Sequence, residues 1–150
     1  MARLQNTSLT DSIACVHRYL NAMLDATLQV DGLTVEQWRV FENLSDREGR
    51  SMGDLAAAVL MNHPALTKMM DRMVADGMVH RAPDEADQRR VLVFLTDRGF
   101  ALYRRVKPKV DAHDARLRRA LGVSDARSLS GLLAQAISTL ATASVKIEQN

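Results

Sequence analysis

The chain is poor in cysteine and in aromatic residues. Its single cysteine, Cys15, excludes an internal disulfide and fits a reducing cytosol. Only 4% of its residues are aromatic, which argues against large surfaces that stack nucleic-acid bases. No apolar run is long enough to span a membrane, and the N-terminus has no apolar segment of the signal-peptide kind. These absences predict a soluble, cytoplasmic protein.

The sequence also lacks the usual marks of an enzyme or a metal site. It has no nucleophile elbow, no phosphate loop and no pair of acids in a plausible catalytic site. We therefore expect no catalytic residues, no metal and no other cofactor. The residues that bind transition metals most often are scattered and match no ligand spacing; they are Cys15, His17, His63, His80 and His113.

The remaining composition is that of one globular domain, which we assign to residues 1–150. The chain is 47% hydrophobic and 25% charged, and its length is enough for a substantial core. A net charge of +2 is too small to identify a partner. The charge is unevenly placed, however, because residues 34–98 are slightly acidic whereas residues 99–120 are strongly basic.

Helical periodicity predicts two helices in the first third of the chain. Apolar residues between Ile13 and Thr27 repeat at helical spacing and predict a helix over about 8–29, which the "DG" at positions 31–32 ends. Thr34 then begins a second helix, with Gln37 three residues on as a capping box. The predicted buried face of that helix is Trp38, Phe41 and Leu44.

Two shorter helices follow. Ser51, with Asp54 three residues on, begins a third helix with the body "DLAAAVL". Asn62 caps a fourth helix, whose first turn holds Pro64 and whose C-terminal end is closed by Gly77. Its predicted inner face is Leu66, Met69, Met70 and Met73.

A hairpin and two long helices complete the chain. "MVHR" at 78–81 and "VLVFL" at 91–95 predict two strands joined by a long loop. Thr96 caps a fifth helix, which Pro108 is expected to kink. "GVSDARS" then predicts a break, with a sixth helix over about 125–147. The first, fifth and sixth helices carry apolar stripes, and a symmetric dimer would bury each stripe twice.

The order of two short helices, a tight turn and a hairpin is typical of a winged helix-turn-helix. In such units the second helix places its N-terminal residues in the major groove of DNA. Lys68 and Arg72 lie one turn apart and are suited to guanine edges or phosphates, Thr67 to a phosphate and Ala65 to a thymine methyl. The alternative interpretation of this helix is an ordinary amphipathic helix with a solvated face. The residues predicted to contact DNA from these helices are Ser51, Asn62, His63, Pro64, Ala65, Thr67, Lys68 and Arg72.

The hairpin favours the DNA-binding interpretation. Arg89 lies at the predicted loop tip, from which an arginine can enter the narrow minor groove. Asp87, two residues earlier, is expected to hold the Arg89 guanidinium by paired hydrogen bonds. Arg90 is a candidate phosphate contact, whereas Asp84 and Glu85 belong to the turn. The alternative is a surface ion pair worth about 0–1 kcal/mol.

The run from Leu33 to Tyr103 resembles the MarR family of transcription regulators. "LTVEQWRVF", "DLAAAVLMNHPALTKMMDRMVADGMVHR" and above all "DQRRVLVFLTDRG" carry the resemblance. It covers about half of the chain, and its several motifs make it specific. One departure stands at Pro64, where the family usually has a small hydroxyl residue, which puts one DNA contact in doubt.

The resemblance implies a fold, a partner and a mechanism. The fold is mainly α with a small β-hairpin, an α+β arrangement in which residues 34–98 form the DNA-binding lobe. Residues 1–33 and 99–150 would form a helical dimerisation region. The implied protein is a homodimeric repressor that binds a palindromic double-stranded operator and is released from it by a small effector.

The family resemblance also suggests an effector class. Aromatic or phenolic acids, or their acyl-coenzyme A thioesters, would bind in a crevice between the dimer base and the DNA lobe. The candidate effector-binding residues are His17, Leu20, Asn21, Trp38, Phe41, Arg105 and Lys109. The alternative for Arg105 and Lys109 is a solvated basic face of the fifth helix. The alternative for the other five residues is an ordinary core or surface position.

Two other functional interpretations stay open. Cys15 would suit an oxidant-sensing repressor, but the position where the family's peroxide sensors carry a tyrosine holds Val35, and a small buried hydrophobe is favoured. A winged helix that binds only proteins would not need Asp87 and Arg89 at their spacing. A small enzyme is the least favoured alternative.

Overall fold

The computed structural model describes residues 8–147 as a mainly helical chain with one small sheet. The elements, in chain order, are α1 (Leu9–Leu28), a 3-10 turn (Gln29–Asp31), α2 (Val35–Asn43), β1 (Arg50–Ser51), α3 (Met52–Val59), α4 (His63–Ala75), β2 (Val79–Pro83), β3 (Val91–Leu95), α5 (Asp97–Leu121) and α6 (Val123–Ile147). Among these residues, no helix is both long and apolar enough to cross a membrane.

The predicted caps begin the short helices. The Thr34 hydroxyl accepts from the Gln37 backbone N–H at 3.2 Å, and the Gln37 side chain accepts from the Thr34 N–H at 3.0 Å. Ser51 and Asp54 form the same reciprocal box, and the Asn62 side chain caps α4. These contacts satisfy N–H groups that have no partner inside a helix, so the predicted caps of these three helices are confirmed. The Thr96 hydroxyl likewise accepts from the Gly99 N–H at 3.0 Å, which confirms the predicted cap of α5.

Residues in the left-handed region follow the 3-10 turn, α3 and α4. Gly32 follows the 3-10 turn with a φ of 72°, and Gly77 follows α4 with a φ of 68°. Leu60 ends α3 with a φ of 58°, although its side chain carries a Cβ that disfavours this region. The α3–α4 turn is therefore tight but strained.

The sheet has three strands, in the order β1-β3-β2, with both pairs antiparallel. The predicted strands β2 and β3 pair with Val79 opposite Leu95 and Pro83 opposite Val91. Strand β1, in which Arg50 lies opposite Val93, is not predicted from the sequence. Two residues are too few to show an alternating pattern, and only pairing with β3 makes them a strand.

The chain divides into two compact units between Val110 and Asp111, within α5, and the core belongs to the first. Its largest fully buried side chains include Trp38 and Phe41, as predicted. The other fully buried side chains come from the short helices and the strands, among them Leu28, Leu44, Leu55, Leu66, Met70, Met73, Val79 and Val93.

The second unit differs from the prediction at one place. "GVSDARS" was expected to break the chain, with α6 beginning near Asp125. Only Gly122, with a φ of 87°, interrupts the helices, and α6 begins at Val123. Glycine alone supplies the turn, while Ser124 and Asp125 lie in the first helical turn, where polar residues are well tolerated. Helix α5 continues through Pro108, and its expected kink stays a prediction.

Candidate nucleic-acid interface

Helix α4 separates a buried face from a fully exposed one. Leu66, Met70 and Met73 are buried in the core. The Met61 N–H donates to the Ala56 carbonyl at 3.2 Å and holds the turn that precedes the helix. The residues predicted to read DNA from this helix are all exposed; they are Asn62, His63, Pro64, Ala65, Thr67, Lys68 and Arg72.

Five of these side chains line a shallow concave surface that also includes one acid, Asp71. The five are His63, Pro64, Thr67, Lys68 and Arg72. The Asp71 carboxylate accepts from Arg81 of β2 at 2.8 Å, so a strand residue compensates the negative charge. Sequence reasoning missed Arg81, because nothing in the spacing shows that β2 returns alongside α4.

Two hydroxyl groups proposed to contact DNA already have intramolecular partners. The Thr67 hydroxyl donates to the His63 carbonyl at 2.9 Å. The Ser51 hydroxyl donates to the Asp54 carboxylate at 2.6 Å. The hydrogen bond from Ser51 holds the pKa of Asp54 below its usual 3.8, with smaller contributions from Arg90 and Arg50. Either hydroxyl would have to exchange its partner to donate to a phosphate.

The loop between β2 and β3, which we call the wing, is held by its aspartates. The Asp84 N–H donates to the Arg90 carbonyl at 2.9 Å, and the Arg90 N–H donates to the Asp87 carbonyl at 2.8 Å. The Asp84 carboxylate accepts from the Ala86 N–H at 2.9 Å. Asp84 is thus a turn residue, as predicted.

The expected pairing of Asp87 with the Arg89 guanidinium is wrong for this structure. The Asp87 carboxylate accepts from the backbone N–H of Arg89 at 3.1 Å instead. An aspartate readily bonds the N–H two residues on, and this local turn competes with a side-chain pair. Within residues 8–147, no ion pair holds the Arg89 side chain, which extends exposed from the wing.

Arg90 has the carboxylate neighbour that we expected for Arg89. Its Nη1 lies 3.8 Å from Asp84, whose side chain is only 17% exposed. Arg90 also lowers the pKa of Asp54 at the start of α3. Arg90 is therefore paired within the wing, and its contact with a phosphate stays a prediction.

The proposed effector residues fall into three different settings. Trp38 and Phe41 are 1% and 0% exposed, and the Trp38 ring stacks on Tyr103 at 5.3 Å between centroids. Their alternative interpretation as core residues is confirmed, and they offer no open surface to a ligand. Leu20 is half-buried, whereas His17 is exposed.

A hydrogen-bonded chain joins α1 to α2 beside these residues. Arg39 donates to the Asn21 side-chain oxygen at 2.9 Å, and the Asn21 amide nitrogen lies 2.9 Å from His17 Nε2. A guanidinium can only donate, so the Asn21 oxygen faces Arg39 and its N–H faces His17. Sequence reasoning found His17 and Asn21 but not Arg39.

Arg105 and Lys109 are not free cations on an open face. Lys109 Nζ lies 2.6 Å from one oxygen of Asp31, and Arg105 Nε lies 3.3 Å from the other. The Asp31 side chain is only 6% exposed. The hydrogen bond from Lys109 holds the pKa of Asp31 below its usual 3.8 and outweighs the effect of burial. Asp31 was read only as part of a helix break, because its partners lie far along the chain.

The redox interpretation of Cys15 stays a prediction. Cys15 is half-buried on α1. Across residues 8–147, no three His, Cys, Asp or Glu side chains are grouped so that they could hold a metal ion.

Large apolar side chains remain exposed on α1 and, separately, on α6. Leu9, Ile13, Val16 and Met23 of α1 are each about half exposed or more. The corresponding side chains of α6 are 40–68% exposed, namely Leu129, Leu132, Leu133, Ile137 and Leu140. Exposed apolar stripes of this size are typical of surfaces that pack on a partner.

The sequence is similar to characterised bacterial regulators. A family model described as the MarR family matches residues 31–90. The homoprotocatechuate degradative operon repressor of Escherichia coli is 35% identical over 79 residues, which are 53% of each chain. The regulator FarR of Neisseria gonorrhoeae is 32% identical over 103 residues, 69% of this chain and 70% of FarR. The alignment to the first of these thus spans about half of the relative's length.

Solved structures extend the similarity over most of the chain. A MarR family transcriptional regulator from Silicibacter pomeroyi is 32% identical, with a TM-score of 0.78 over 88% of this chain and 94% of the other. A MarR mutant from E. coli complexed with operator DNA is 27% identical, with a TM-score of 0.76 over 85% and 92%. NadR in complex with 4-hydroxyphenylacetate is 26% identical, with a TM-score of 0.74 over 91% and 96%.

These matches agree with three features of the structure. They are the exposed cations on α4 and on the wing, the capped helix pair, and the three-stranded sheet. On the identity to FarR and to the Silicibacter pomeroyi regulator over most of their lengths, the chain belongs to the MarR family of transcriptional regulators.

Proposed function

We propose that the chain is a transcriptional regulator that binds a palindromic double-stranded DNA operator as a homodimer. One observation carries the proposal: α4 presents Lys68 and Arg72 on an open surface, and the wing extends Arg89. The same fold, at 27% identity, occurs in a MarR mutant complexed with operator DNA.

Helix α4 would enter the major groove with its N-terminal end. Lys68 and Arg72 point from the same face, one turn apart, toward base edges or phosphates. Arg89 would enter the minor groove, whose narrow form concentrates negative potential. Because Asp87 fixes the wing backbone rather than the guanidinium, the Arg89 side chain keeps its rotamer freedom until DNA orders it.

The homodimer is supported by the exposed apolar residues of α1 and of α6. Each stripe would cost solvation free energy if it stayed in water, at about 25 cal/mol for each Å². A two-fold partner would cover both stripes and set two half-sites one helical turn apart, roughly 34 Å.

The proposed effector is a small aromatic acid. The E. coli relative represses a homoprotocatechuate degradative operon, and NadR binds 4-hydroxyphenylacetate. On this chain, Arg39 is the donor suited to a carboxylate, since its guanidinium has five N–H groups and Asn21, itself bonded to His17, accepts from Arg39 at one nitrogen. We favour the free acid over a coenzyme A thioester, since Arg105 and Lys109 are already paired with Asp31.

The DNA proposal can be tested without knowing the operator. A duplex is first selected from a random-sequence library with the purified protein, and its affinity is then measured across a salt series. Arg89→Ala and Lys68→Ala should each weaken binding, and each lost phosphate contact should lower the salt slope by about 1. Arg118→Ala is the matched control, because Arg118 pairs with Asp114 on α5 and belongs neither to α4 nor to the wing.

The outcomes separate the parts of the proposal. Failure to select any duplex would overturn DNA binding itself. Normal selection with an unchanged Arg89→Ala affinity would overturn only the wing assignment. Light scattering coupled to size exclusion should give a dimer mass, and Leu132→Ser with Ile137→Ser should shift it toward the monomer.

The effector proposal needs its own measurement. Titration of 4-hydroxyphenylacetate into the protein should release heat and lower affinity for the selected duplex. Asn21→Ala should reduce this response by about tenfold, the usual effect of one lost hydrogen bond to a charged group. A response that Asn21→Ala leaves unchanged would move the effector site elsewhere.

A further inference from the structure

Methionine is concentrated around the DNA-reading helix. Six of the eight methionines of the chain fall between positions 52 and 78. They are Met52, Met61, Met69, Met70, Met73 and Met78. The rest of the chain is nearly devoid of them, and the winged helix-turn-helix fold does not itself require thioethers there.

All six methionines contact the same core, with different access to solvent. Met70 and Met73 are buried. Met52, Met61, Met69 and Met78 are only partly buried and pack against that core. The inner face of α4 therefore consists of Leu66 and three methionines, so that the position of the helix depends largely on thioether packing.

Three of the four partly buried methionines occur at the beginning, the middle and the end of α4, whereas the fourth, Met52, begins α3. Met61 immediately precedes the cap Asn62. Met69 lies in the middle of the helix. Met78 follows Gly77, its N–H donates to the Met73 carbonyl at 2.9 Å, and its own carbonyl accepts from the Thr96 N–H at 3.1 Å. A change at any of the three sulfurs would act on the helix or on its junction with α5.

We infer that Met61, Met69 and Met78 form an oxidation-sensitive site that controls DNA binding. The co-substrate class is a two-electron oxygen donor, such as hypochlorous acid or a peroxide. With hypochlorous acid, the methionine sulfur attacks the electrophilic chlorine and displaces hydroxide, which gives a chlorosulfonium ion. Water then adds to the sulfur while chloride and two protons leave, and the displaced hydroxide takes up one of these protons. Overall, thioether and HOCl give sulfoxide, chloride and one proton. The sulfur is oxidised by two electrons and the chlorine is reduced by two.

The sulfoxide would disturb the helix by a simple physical route. Oxidation turns an apolar, flexible side chain into a polar one. Against the apolar core, the new oxygen has no hydrogen-bond partner, and a buried polar group without a partner is costly. The side chain should therefore move toward water and shift α4, which weakens DNA binding. The inference rests on the proposed DNA-binding function.

The experiment uses the full chain and a Cys15→Ser background, which removes the thiol as an oxidation target. Hypochlorous acid is added in small molar excess, and peptide mass spectrometry identifies the oxidised residues. Affinity is measured for the duplex that the untreated protein selects from a random library. Methionine sulfoxide reductases A and B are then added to reverse the modification.

Matched variants locate the effect. Met→Leu replacements at Met61, Met69 and Met78 conserve volume and keep the fold, but they cannot be oxidised. Met23→Leu is the control, since Met23 lies on α1 and is 50% exposed, more open to oxidant but remote from the α4 core.

We expect oxidised Cys15→Ser protein to lose about tenfold or more in affinity, the effect of one unsatisfied buried polar group. The reductases should restore binding, and the triple leucine variant should resist the oxidant while Met23→Leu does not. Unchanged binding despite sulfoxides at these positions would overturn the inference, as would equal sensitivity of the triple variant. If the untreated protein selects no duplex, the proposed function fails. The inference is then tested on the fold alone: it is overturned if oxidation leaves the thermal unfolding temperature unchanged.

Discussion

The Asp31 carboxylate offers the sharpest test of how the first unit is held together. It joins the turn after α1 to α5 through Lys109 at 2.6 Å and Arg105 at 3.3 Å. The perturbation is Asp31→Asn, which removes the charge but keeps one acceptor oxygen and nearly the same volume. Asp31 is almost fully covered, so water cannot readily replace its partners.

The magnitude follows from the two contacts. A hydrogen bond to a charged group contributes about 1.5–3 kcal/mol, and the asparagine would retain part of the Lys109 bond. Arg105 is 64% exposed, so its pairing adds only about 0–1 kcal/mol. We expect Asp31→Asn to lower the free energy of unfolding at pH 7 by ~2 kcal/mol. In a domain of this size, each kcal/mol lowers the melting temperature by about 2–4 °C.

The pH dependence gives the sign of the effect. The folded pKa of Asp31 lies below the usual 3.8, mainly because Lys109 donates to it. Folding is therefore stabilised by this carboxylate above that usual pKa, and the stabilisation is lost as the pH falls through the folded value. The difference between wild type and Asp31→Asn should be full at pH 7 and should shrink below about pH 4.

The assay is urea unfolding followed by far-ultraviolet circular dichroism at one fixed protein concentration, since dimerisation would make stability depend on concentration. Asp114→Asn is the matched control, because its half-exposed pair with Arg118 should change stability by only about 0.3–0.5 kcal/mol. Equal losses in the two variants would refute the reasoning. So would an Asp31→Asn deficit that stays constant as the pH falls.

Three further predictions concern the backbone and the caps. Gly99→Ala should destabilise the fold by about 2 kcal/mol or more, because the Cβ of the alanine would overlap the Met78 carbonyl oxygen. That oxygen is a backbone atom and also accepts from Thr96, so it cannot readily move. A thermal melt close to that of the wild type would contradict this prediction. Leu60→Gly should stabilise the fold by about 0.5–1 kcal/mol, since it relieves a backbone φ of 58° at a residue whose side chain is 78% exposed. A lower free energy of unfolding in urea would mean that the leucine side chain contributes more than its exposure suggests. Thr34→Ala should cost about 1 kcal/mol through loss of the capping box, and a matched Thr139→Ala change on α6, where the hydroxyl only bonds within the helix, should cost less.

Contacts between residues close in sequence were predicted well. Thr34 with Gln37, Ser51 with Asp54, and Asn62 with Ala65 each lie three residues apart, and such caps need no information from the rest of the fold. The same reasoning failed at Asp87, although its partner was only two residues away. Sequence spacing showed that Asp87 and Arg89 were adjacent, but not whether the carboxylate would bond the side chain or the backbone N–H.

The sequence by itself determined the helices, the two longer strands, the core face of α2 and the exposed cations of α4, because periodicity and capping act within a few residues. Only the tertiary structure decided that β1 exists, that Arg81 pairs with Asp71, and that Lys109 pairs with Asp31 across 78 positions of sequence. These contacts depend on where the chain returns in space. That return is set by the packing of the whole core, which no short stretch of sequence specifies.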